Sequence, residues 1–568
     1  MKKQLIFTLS VLAALTAGQL ESSACSNVIV TKGASADGSC MVSYAADSHQ
    51  LYGELYFHPA GKFKAGSRLA IIEWDTYKPL GSIHQIARTY QTTGNMNEKQ
   101  LVIGETTWGG REEQADTNGI MDYGSLIYVT LQRAATARAA IDTIVSLANR
   151  YGYPSEGESF SIADPDEAWV MDLVGKGSDN KGIVWVARRI PDGYICAHAN
   201  QCRITRFPLD DPENCRYAPD VISFARSKGW FQGRDEEFSF RDAYNPLDFG
   251  GARFCDARAW SAFNTLCDGT FTWEENGREV SRPASDWHGY ILGHDPKGEM
   301  PLFVKPARKV SAKAVADVMR DHFEGTPLDM TQDIGAGGNA LPYRWRPMSF
   351  EWEGKTYVNE RAIATQQTGF WFVAQARGWL PDEVGALVWF GTDDAATSYL
   401  TPVYVNIDRV PECLRVGNGD MLHYSATSQF WMSNRIAQAC YKMYNVMAPY
   451  VRERIDAFEN RQMSVAVPAQ DEKLAALVRK GQIRKARKEM TDYTVRTAGE
   501  QFRNWVALEE TLLLKYLDGN IKAQEADGSF THSKYNAGTP TGIRNEPYVK
   551  AWRKAVAESE HGPVLEQK

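Results

Sequence analysis

The chain has 568 residues, of which 43% are hydrophobic and 23% are charged, and both fractions are ordinary for a globular protein with a large core. The formal net charge is −7, from 63 Lys and Arg against 70 Asp and Glu, which argues against a general nucleic-acid-binding protein. This length predicts two or more structural units, and no apolar run beyond the N-terminal one approaches the length of a transmembrane helix.

The N-terminus has the pattern of an export signal. Two lysines precede a mostly apolar run of about 14 residues, 5–18, which is short for a membrane span. Ser22 and Ala24 are the small residues that a signal peptidase needs before its cleavage point. The pattern predicts a signal peptide over residues 1–24 and a mature chain that begins with Cys25, outside the cytoplasm.

Cleavage after Ala24 would leave a thiol and a free α-amine on the same residue. The amine has a pKa of about 7.7–8 and the thiol of about 8.5, so the amine can take the thiol proton directly or through a water. Nucleophile and base would then both belong to Cys25. The alternative is a lipoprotein acylation site, although Leu20 lies five residues before the cysteine, farther than such sites place their leucine.

The number of cysteines also indicates that Cys25 has a free thiol. An odd number in an exported chain predicts one unpaired thiol, for which Cys25 is the natural candidate. The five cysteines between residues 196 and 267 could form bridges of unknown connectivity. With no CxxC pair and no HExxH motif, the sequence gives no support for a zinc site. The nine cysteines are Cys25, Cys40, Cys196, Cys202, Cys215, Cys255, Cys267, Cys413 and Cys440.

The residues after Cys25 predict a β-hairpin. A β-branched run, 28–30, is followed by turn residues 33–38 that include Asp-Gly, and then by a second strand, 41–47. Such a hairpin would return Asp47 to the Cys25 end, where its carboxylate could hold the α-ammonium of Cys25. The alternative is an Asp that only caps the end of a strand.

Further polar residues stand at the ends of predicted strands. Asn97 lies in a polar turn before the strand 101–104, where it is either a turn former or an amide donor for an oxyanion. The strand 194–200 ends in His-Ala-Asn, which places His198 and Asn200 at a sheet edge. Further strands are predicted at 168–173 and 182–187, and a helix over 126–148.

The rest of the chain is predicted mainly from helical spacing. Arg258 lies in a Gly-Gly-Ala-Arg-Phe-Cys-Asp-Ala-Arg segment and is either a surface charge or a cation that favours the Cys25 thiolate. From about residue 422 the pattern becomes helical, with helices over 429–450, 471–490 and 498–516. Residues 523–568 are polar and rich in Gly, Pro and Asn, which predicts an irregular tail.

Several separated motifs, in the same order, resemble peptidase family C69. These are the dipeptidases of the N-terminal nucleophile (Ntn) hydrolase superfamily, related to penicillin V acylases and bile salt hydrolases. The resemblance covers roughly residues 25–405. The motifs are Cys25 with 28–30, Ala34-Ser35-Ala36-Asp37-Gly38-Ser39, Asn97-Glu98-Lys99, Arg320-Asp321-His322-Phe323-Glu324-Gly325-Thr326-Pro327, Arg377-Gly378-Trp379-Leu380-Pro381 and Val388-Trp389-Phe390-Gly391.

The resemblance implies a role for each matching residue. Cys25 resembles the nucleophile and Asp47 the acid that holds its amine. Asn97 and Asn200 resemble the asparagines on the oxyanion side, and Arg258 the arginine near the thiolate. The resemblance implies neither a metal nor an organic cofactor.

One position departs from the family pattern. The family usually has an arginine three residues before the acid, and this chain has Tyr44 there. A phenol can only hydrogen-bond, so stabilisation of the thiolate by a charge at this position is lost. Activity or substrate range is expected to differ for that reason.

Together these inferences predict an α+β fold. The resemblance implies an Ntn-hydrolase αββα sandwich of two antiparallel sheets flanked by helices, over residues 25–410, with a mainly helical C-terminal part and tail over 411–568. The expected function is that of an exported cysteine dipeptidase, periplasmic or extracellular, acting on dipeptides or short peptides.

Two other functions stay open at this point. One is an amidase of acylated amino acids, of the bile salt or penicillin V type. The other is a surface lipoprotein that binds peptide or glycan without turnover. The sequence leaves open whether the chain forms a homo-oligomer.

Overall fold

A computed structural model of the chain describes residues 24–295, 297–345 and 347–567. The predicted signal peptide lies, except for Ala24, outside the described residues. The chain is 34% helical and 23% strand, with several antiparallel sheets, so the predicted mixture of helix and sheet is confirmed. Among the described residues, no helix is both long enough and apolar enough to span a bilayer.

The strands, in chain order, are β1 (Asn27–Val30), β2 (Cys40–Asp47), β3 (Phe57–His58), β4 (Gly61–Lys62), β5 (Arg68–Ile72), β6 (Pro79–His84), β7 (Arg88–Thr89), β8 (Thr92–Thr93), β9 (Met96–Asn97), β10 (Val102–Trp108), β11 (Gly157–Ala163), β12 (Ala168–Gly175), β13 (Ile183–Arg189), β14 (Ile195–His198), β15 (Cys215–Tyr217), β16 (Thr270–Glu275), β17 (Arg278–Pro283), β18 (Phe303–Val304), β19 (Ser349–Trp352), β20 (Lys355–Val358), β21 (Thr368–Ala376), β22 (Ala386–Thr392), β23 (Thr401–Tyr404), β24 (His532–Ser533) and β25 (Asn536–Pro540).

The α-helices are α1 (Tyr123–Leu131), α2 (Ala137–Tyr151), α3 (Val221–Ser227), α4 (Phe240–Tyr244), α5 (Ala257–Leu266), α6 (His288–Ile291), α7 (Ala312–Val318), α8 (Asp382–Gly385), α9 (Gln429–Cys440), α10 (Tyr444–Arg461), α11 (Val467–Arg479), α12 (Ile483–Lys515), α13 (Lys550–Ala557) and α14 (Gly562–Leu565).

Two large sheets form the centre of the molecule. The first has seven strands in the order β18-β14-β1-β2-β21-β22-β23, and the second has eight in the order β15-β13-β12-β11-β10-β9-β8-β3. Neighbouring strands in both sheets run antiparallel. The predicted hairpin is confirmed, because β1 pairs with β2 and the main-chain amide of Ala24 donates to the carbonyl of Asp47 at 2.7 Å.

The two sheets pack face to face where β1 and β2 contact β10 and β11. Gly104 permits this close approach, because a Cβ there would lie 3.2 Å from Val42 Cγ1 and 3.4 Å from Tyr44 Cβ. His198 bridges the sheets, with Nδ1 2.7 Å from Thr106 Oγ1 and Nε2 2.6 Å from Ser161 Oγ. Burial, followed by the charge of a neighbouring arginine, lowers the pKa of His198 to about 3, so it is a neutral structural residue.

Helices cover the outer faces of both sheets. The helix α2 contacts β11, β12 and β13 of the second sheet. The helices α5 and α7 contact β14, β2 and β21 of the first sheet, and the long helix α12 contacts β23. Two antiparallel sheets with helices outside them therefore position the N-terminal strand in the middle of the molecule.

The single helix predicted over 126–148 is wrong in detail, because the structure has two helices, α1 and α2, with a break between them. Thr136 starts α2, and its side chain accepts a hydrogen bond from the amide of Ala139. Asn97 stabilises the break between the two helices, because its Nδ2 donates to the carbonyls of Leu131 and Ala134 at 2.7 and 2.8 Å. Helical periodicity reports only on local spacing, so it could not predict a break that depends on a residue more than 30 positions away.

The C-terminal helices occur where the spacing predicts them, although their boundaries differ. Residues 429–516 form α9, α10, α11 and α12. The tail contains more regular structure than its composition predicts, because β24 and β25 pair and α13 follows them. All nine cysteines lie in the described part of the chain as unpaired thiols, so the bridges that the sequence left open between residues 196 and 267 are absent there. Instead, the thiol of Cys202 donates to Asp172 at 3.1 Å.

Candidate active site

Cys25 lies two residues before β1 and is 1% exposed. The main chain holds it on both sides, because Ala24 N donates to Asp47 O at 2.7 Å and Ser26 N donates to Ala45 O at 3.3 Å. These bonds place Asp47 beside the Cys25 end of the hairpin, as the sequence predicts. The thiol therefore lies between the two sheets, held by backbone rather than by a mobile loop.

The thiol of Cys25 faces an acid and a phenol. Its Sγ atom lies 3.5 Å from Glu105 Oε1 and 3.7 Å from the hydroxyl of Tyr44, and Tyr44 also donates a short hydrogen bond to Glu105. Burial, and then the negative charges of Glu105 and Asp47, raises the pKa of the Cys25 thiol well above its usual value. The resting group is therefore a thiol and needs a base before it can attack a carbonyl.

Asp47 is fully buried and forms a salt bridge with Arg361, whose guanidinium also donates to the carbonyl oxygen of Ala24. The hydroxyl of Thr368 donates to Asp47 Oδ1 at 2.6 Å. Burial raises the pKa of Asp47, although the charge of Arg361 opposes this shift. The carboxylate is thus fixed beside Ala24, the residue that precedes Cys25.

Arg258, at the start of α5, binds the backbone of Cys25. It donates from Nη1 to the Cys25 carbonyl at 2.6 Å and to Ser26 Oγ at 2.8 Å, and from Nη2 to Asn200 Oδ1 at 2.9 Å. Burial, and then the charge of Arg361, lowers the pKa of Arg258 to about 10, so it stays a cation at neutral pH. Asn200 also donates from Nδ2 to the carbonyl of Thr107 at 2.6 Å.

Asn97 has a different set of contacts from the other predicted site residues. Its Nδ2 donates to the two carbonyls between α1 and α2, and its Oδ1 accepts from the amides of Lys99 and Leu101 at 2.9 and 3.1 Å. Both amide hydrogens are thus used by the main chain, which favours the turn-former alternative. An oxyanion role would require these bonds to break.

Three residues of this site are absent from the sequence-based prediction: Glu105, Arg361 and Thr368. Arg361 and Thr368 meet Asp47 across more than 300 positions, and no motif surrounds them. Glu105 did leave a signal, because a carboxylate inside the apolar strand β10 is expected to be exposed, paired or functional.

The geometry brings together a buried thiol, a buried acid beside it and two buried guanidinium groups on the adjacent backbone. Such a set can carry out attack by sulfur on a carbonyl, with cations nearby to stabilise negative charge on oxygen. Within 24–295, 297–345 and 347–567, no group of three or more His, Cys, Asp or Glu side chains is arranged to hold a metal ion.

The chain matches a known family model over most of its length. The model for peptidase family C69 matches residues 66–456, well over half of the chain. The matched region contains Asn97, Glu105, Asn200, Arg258 and Arg361, whereas Cys25 and Asp47 precede it.

Curated relatives agree with this match. A protein of Salmonella dublin named a probable dipeptidase is 24% identical over 426 residues, which is 71% of this chain and 85% of the relative. A probable dipeptidase of Latilactobacillus sakei is 23% identical, covering 71% of this chain and 80% of the relative. A dipeptidase of Bifidobacterium longum is 23% identical, with 64% and 62% covered.

Proposed function

Because the chain belongs to peptidase family C69, we propose that it is a dipeptidase that hydrolyses the peptide bond through the thiol of Cys25. The names of the relatives from Salmonella dublin and Bifidobacterium longum support a peptidase of this kind. The observation that carries the assignment of the nucleophile is the placement of Cys25. Its thiol is buried between the sheets, and its neighbours are Glu105, Asp47 and Arg258.

The proposed active form begins at Cys25, after export and removal of residues 1–24. Its fold is that of an Ntn hydrolase, in which the first residue supplies both nucleophile and base. Removal of Ala24 frees the α-amine of Cys25. The ion pair of Asp47 and Arg361 then lies next to this amine. An α-amine titrates near pH 7.7–8, so it can accept the thiol proton at neutral pH.

In the proposed reaction, the Cys25 proton moves to the α-amine as sulfur attacks the substrate carbonyl. The carbonyl π electrons move to oxygen, and we assign stabilisation of this oxyanion to Asn200 and backbone amides, with Arg258 holding the Cys25 backbone in place. The C–N bond then breaks, and the leaving amine takes the proton from the α-ammonium. Water hydrolyses the thioester and regenerates the thiol.

The test compares wild type with Cys25→Ala and Cys25→Ser, each expressed from the full-length chain. Mass spectrometry of the purified protein is expected to give a mature N-terminus at Cys25 with a free amine. Cys25→Ala should abolish dipeptide turnover without loss of the folded state. Cys25→Ser should lower the rate of dipeptide turnover by several orders of magnitude, because a hydroxyl is far harder to deprotonate than a thiol.

The matched control is Cys413→Ala, since Cys413 is a buried thiol whose charged neighbour is Glu412, outside this site. It is expected to keep full turnover. A Cys25→Ala protein that cleaves dipeptides at the wild-type rate would place the chemistry elsewhere. A lipid on Cys25 would block its amine and overturn the mechanism, and turnover of acyl-amides in place of dipeptides would favour the amidase alternative.

A further inference from the structure

Two carboxylates next to the nucleophile have oxygen atoms with no hydrogen-bond donor. Glu105 in β10 and Glu158 in β11 are diagonal neighbours on one face of the second sheet, since Thr107 pairs with Glu158 across the strands. Each is at most 1% exposed. Glu105 Oε2 and Glu158 Oε2 are both without a donor, whereas the other oxygen of Glu158 accepts from Thr107 at 2.7 Å.

The surroundings of this pair are acidic and phenolic. The side chains whose charges act on Glu105, on Glu158 and on the tyrosines around them are mainly carboxylates, with Asp75 on the Glu105 side. Asp75 accepts from Tyr123 at 2.8 Å, and Asp122 has an oxygen without a donor. In the described part of the chain, none of these four carboxylates forms a salt bridge with Lys or Arg.

Burying an ionised carboxylate without a cation costs free energy. Such groups are therefore either protonated or paired with a positively charged ligand when it binds. Burial raises the pKa of Glu105 to about 7, and the two glutamates share a hydrogen bond when one of them is protonated. Burial therefore favours a proton shared by the two glutamates near neutral pH. A cation can take the place of the shared proton, and no Lys or Arg in the described part of the chain forms a salt bridge with either glutamate.

The position of Glu105 fits one cation in particular. In an amino acid residue the α-nitrogen and the carbonyl carbon are both bonded to Cα, about 2.5 Å apart. A carbonyl that is attacked by Cys25 Sγ must therefore bring its own α-ammonium within a few ångströms of that sulfur. Glu105 Oε1 lies 3.5 Å from Sγ, which is the distance that such an ammonium partner needs.

Resting on the function proposed above, we propose that Glu105, backed by Glu158, accepts the α-ammonium of the first substrate residue and restricts the enzyme to peptides with a free amino terminus. Tyr44 orients the acceptor, because its hydroxyl donates to Glu105 Oε1. Glu105 is thus a specificity-determining residue. Tyr44 is a neutral phenol, so it holds that carboxylate without neutralising its charge.

The first experiment uses two substrates, alanyl-alanine and its N-acetyl derivative, on wild type, Glu105→Gln and Glu275→Gln. Glu275 is exposed in the β16–β17 hairpin, so its variant controls for the change in net charge. Wild type and Glu275→Gln are expected to prefer the free amine. Glu105→Gln should lose about 100-fold or more in kcat/KM on alanyl-alanine and little on the acetylated peptide, because its amide cannot pair with an ammonium ion.

The second experiment measures charge selection at the thiol without turnover. Cys25 is modified by 2-aminoethyl methanethiosulfonate, a cation, and by the anionic 2-sulfonatoethyl reagent, and peptide mapping separates Cys25 from the half-buried Cys255. In each case the sulfur attacks the reagent, a disulfide forms and methanesulfinate leaves. Relative to a free thiol in solution, wild type should favour the cation about 10-fold, and Glu105→Gln should lose this preference. A change in thiol pKa alters both rates alike and leaves the ratio unmoved.

The outcomes separate this inference from the proposed function. If wild type cleaves neither peptide, the proposed function fails. If wild type cleaves dipeptides and Glu105→Gln loses both substrates equally with an unchanged reagent ratio, Glu105 serves the nucleophile or its α-amine and the inference is overturned. If Glu105→Gln does not fold, the same two measurements are made on Glu158→Gln and on wild type. A wild-type protein that reacts equally fast with the cationic and the anionic reagent, relative to a free thiol, contradicts the proposal.

Discussion

At the scale of single residues, the charges around Cys25 are divided between its two sides. The thiol faces Glu105, which opposes ionisation of sulfur, whereas the backbone of residues 24–26 faces Arg258 and Arg361. The Tyr44 phenol donates to Glu105, and Arg258 and Arg361 donate to the carbonyl oxygens of Cys25 and Ala24. A base that takes the thiol proton is for that reason more important here than a thiolate that exists at rest.

Asp47→Asn tests the buried pair that Asp47 forms with Arg361. A polar contact at a cleft edge would contribute about 1–3 kcal/mol, but Asp47 and Arg361 form a buried pair. Removing one partner leaves the other charge buried, so we expect Asp47→Asn to cost about 3–5 kcal/mol and to lower kcat strongly. Denaturant unfolding and kcat of the folded fraction measure the two effects. The control, Asp166→Asn, removes the exposed partner of Lys32 and should change neither.

A double-mutant cycle tests whether the pair acts as a unit. Asp47→Asn combined with Arg361→Met should cost at least about 1 kcal/mol less than the sum of the single changes, because the uncompensated charge is gone. Strict additivity would mean that the two side chains contribute independently.

At the scale of elements, local patterns predict strands well and site contacts poorly. The strands β1 and β2 and their hairpin follow from β-branched runs and an Asp-Gly turn, and so does the return of Asp47 to Cys25. Arg361 could not be predicted, because a loop arginine carries no periodicity and its partner is hundreds of residues away. Asn97 shows the reverse case, since the motif was found but its contacts lie in the break between α1 and α2.

Asn97→Ala distinguishes the two roles of that residue. It removes donors to two carbonyls and an acceptor for two amides, so we expect a loss of about 2–3 kcal/mol in the free energy of unfolding. The folded fraction should keep kcat within a few-fold. Asn460→Ala, an exposed asparagine in α10, is the control and should shift stability by about 0.5 kcal/mol at most.

A normal melting temperature with kcat reduced about 100-fold or more would contradict this expectation. It would restore Asn97 to the oxyanion side, where loss of one donor has an effect of that size.

At the scale of the whole molecule, buried ion pairs join the C-terminal helices to the sheets. Arg320 donates to both oxygens of Glu459 in α10, at 2.6 and 3.0 Å, and both side chains are at most 1% exposed. Arg377 contacts Asp471 in α11 at 2.7 Å. The predicted division at residue 410 thus falls between parts that share buried charges, which favours unfolding as a single cooperative unit.

Glu459→Gln tests this coupling. The change removes the nearest charge partner of the buried Arg320 and leaves Asp317 at 3.5 Å as its acidic neighbour. We therefore expect a loss of up to about 3–5 kcal/mol and a single transition by calorimetry and by near-ultraviolet circular dichroism. Glu453→Gln, on the same helix but with its side chain 78% exposed, should change stability by about 0.5 kcal/mol at most. Two separate transitions in wild type would show instead that the C-terminal helices unfold on their own.

The placement of Ala24 has a consequence for timing. Its amide donates to Asp47, its carbonyl accepts from Arg361, and it is 4% exposed, so the residue that precedes the nucleophile fills the site from within. While this peptide bond is intact, the nitrogen of Cys25 is an amide and cannot serve as a base. In the function proposed above, a chain that still carries Ala24 is therefore a latent precursor. The proposed removal of residues 1–24 would then be a single cleavage that sets both the place and the moment at which hydrolysis begins.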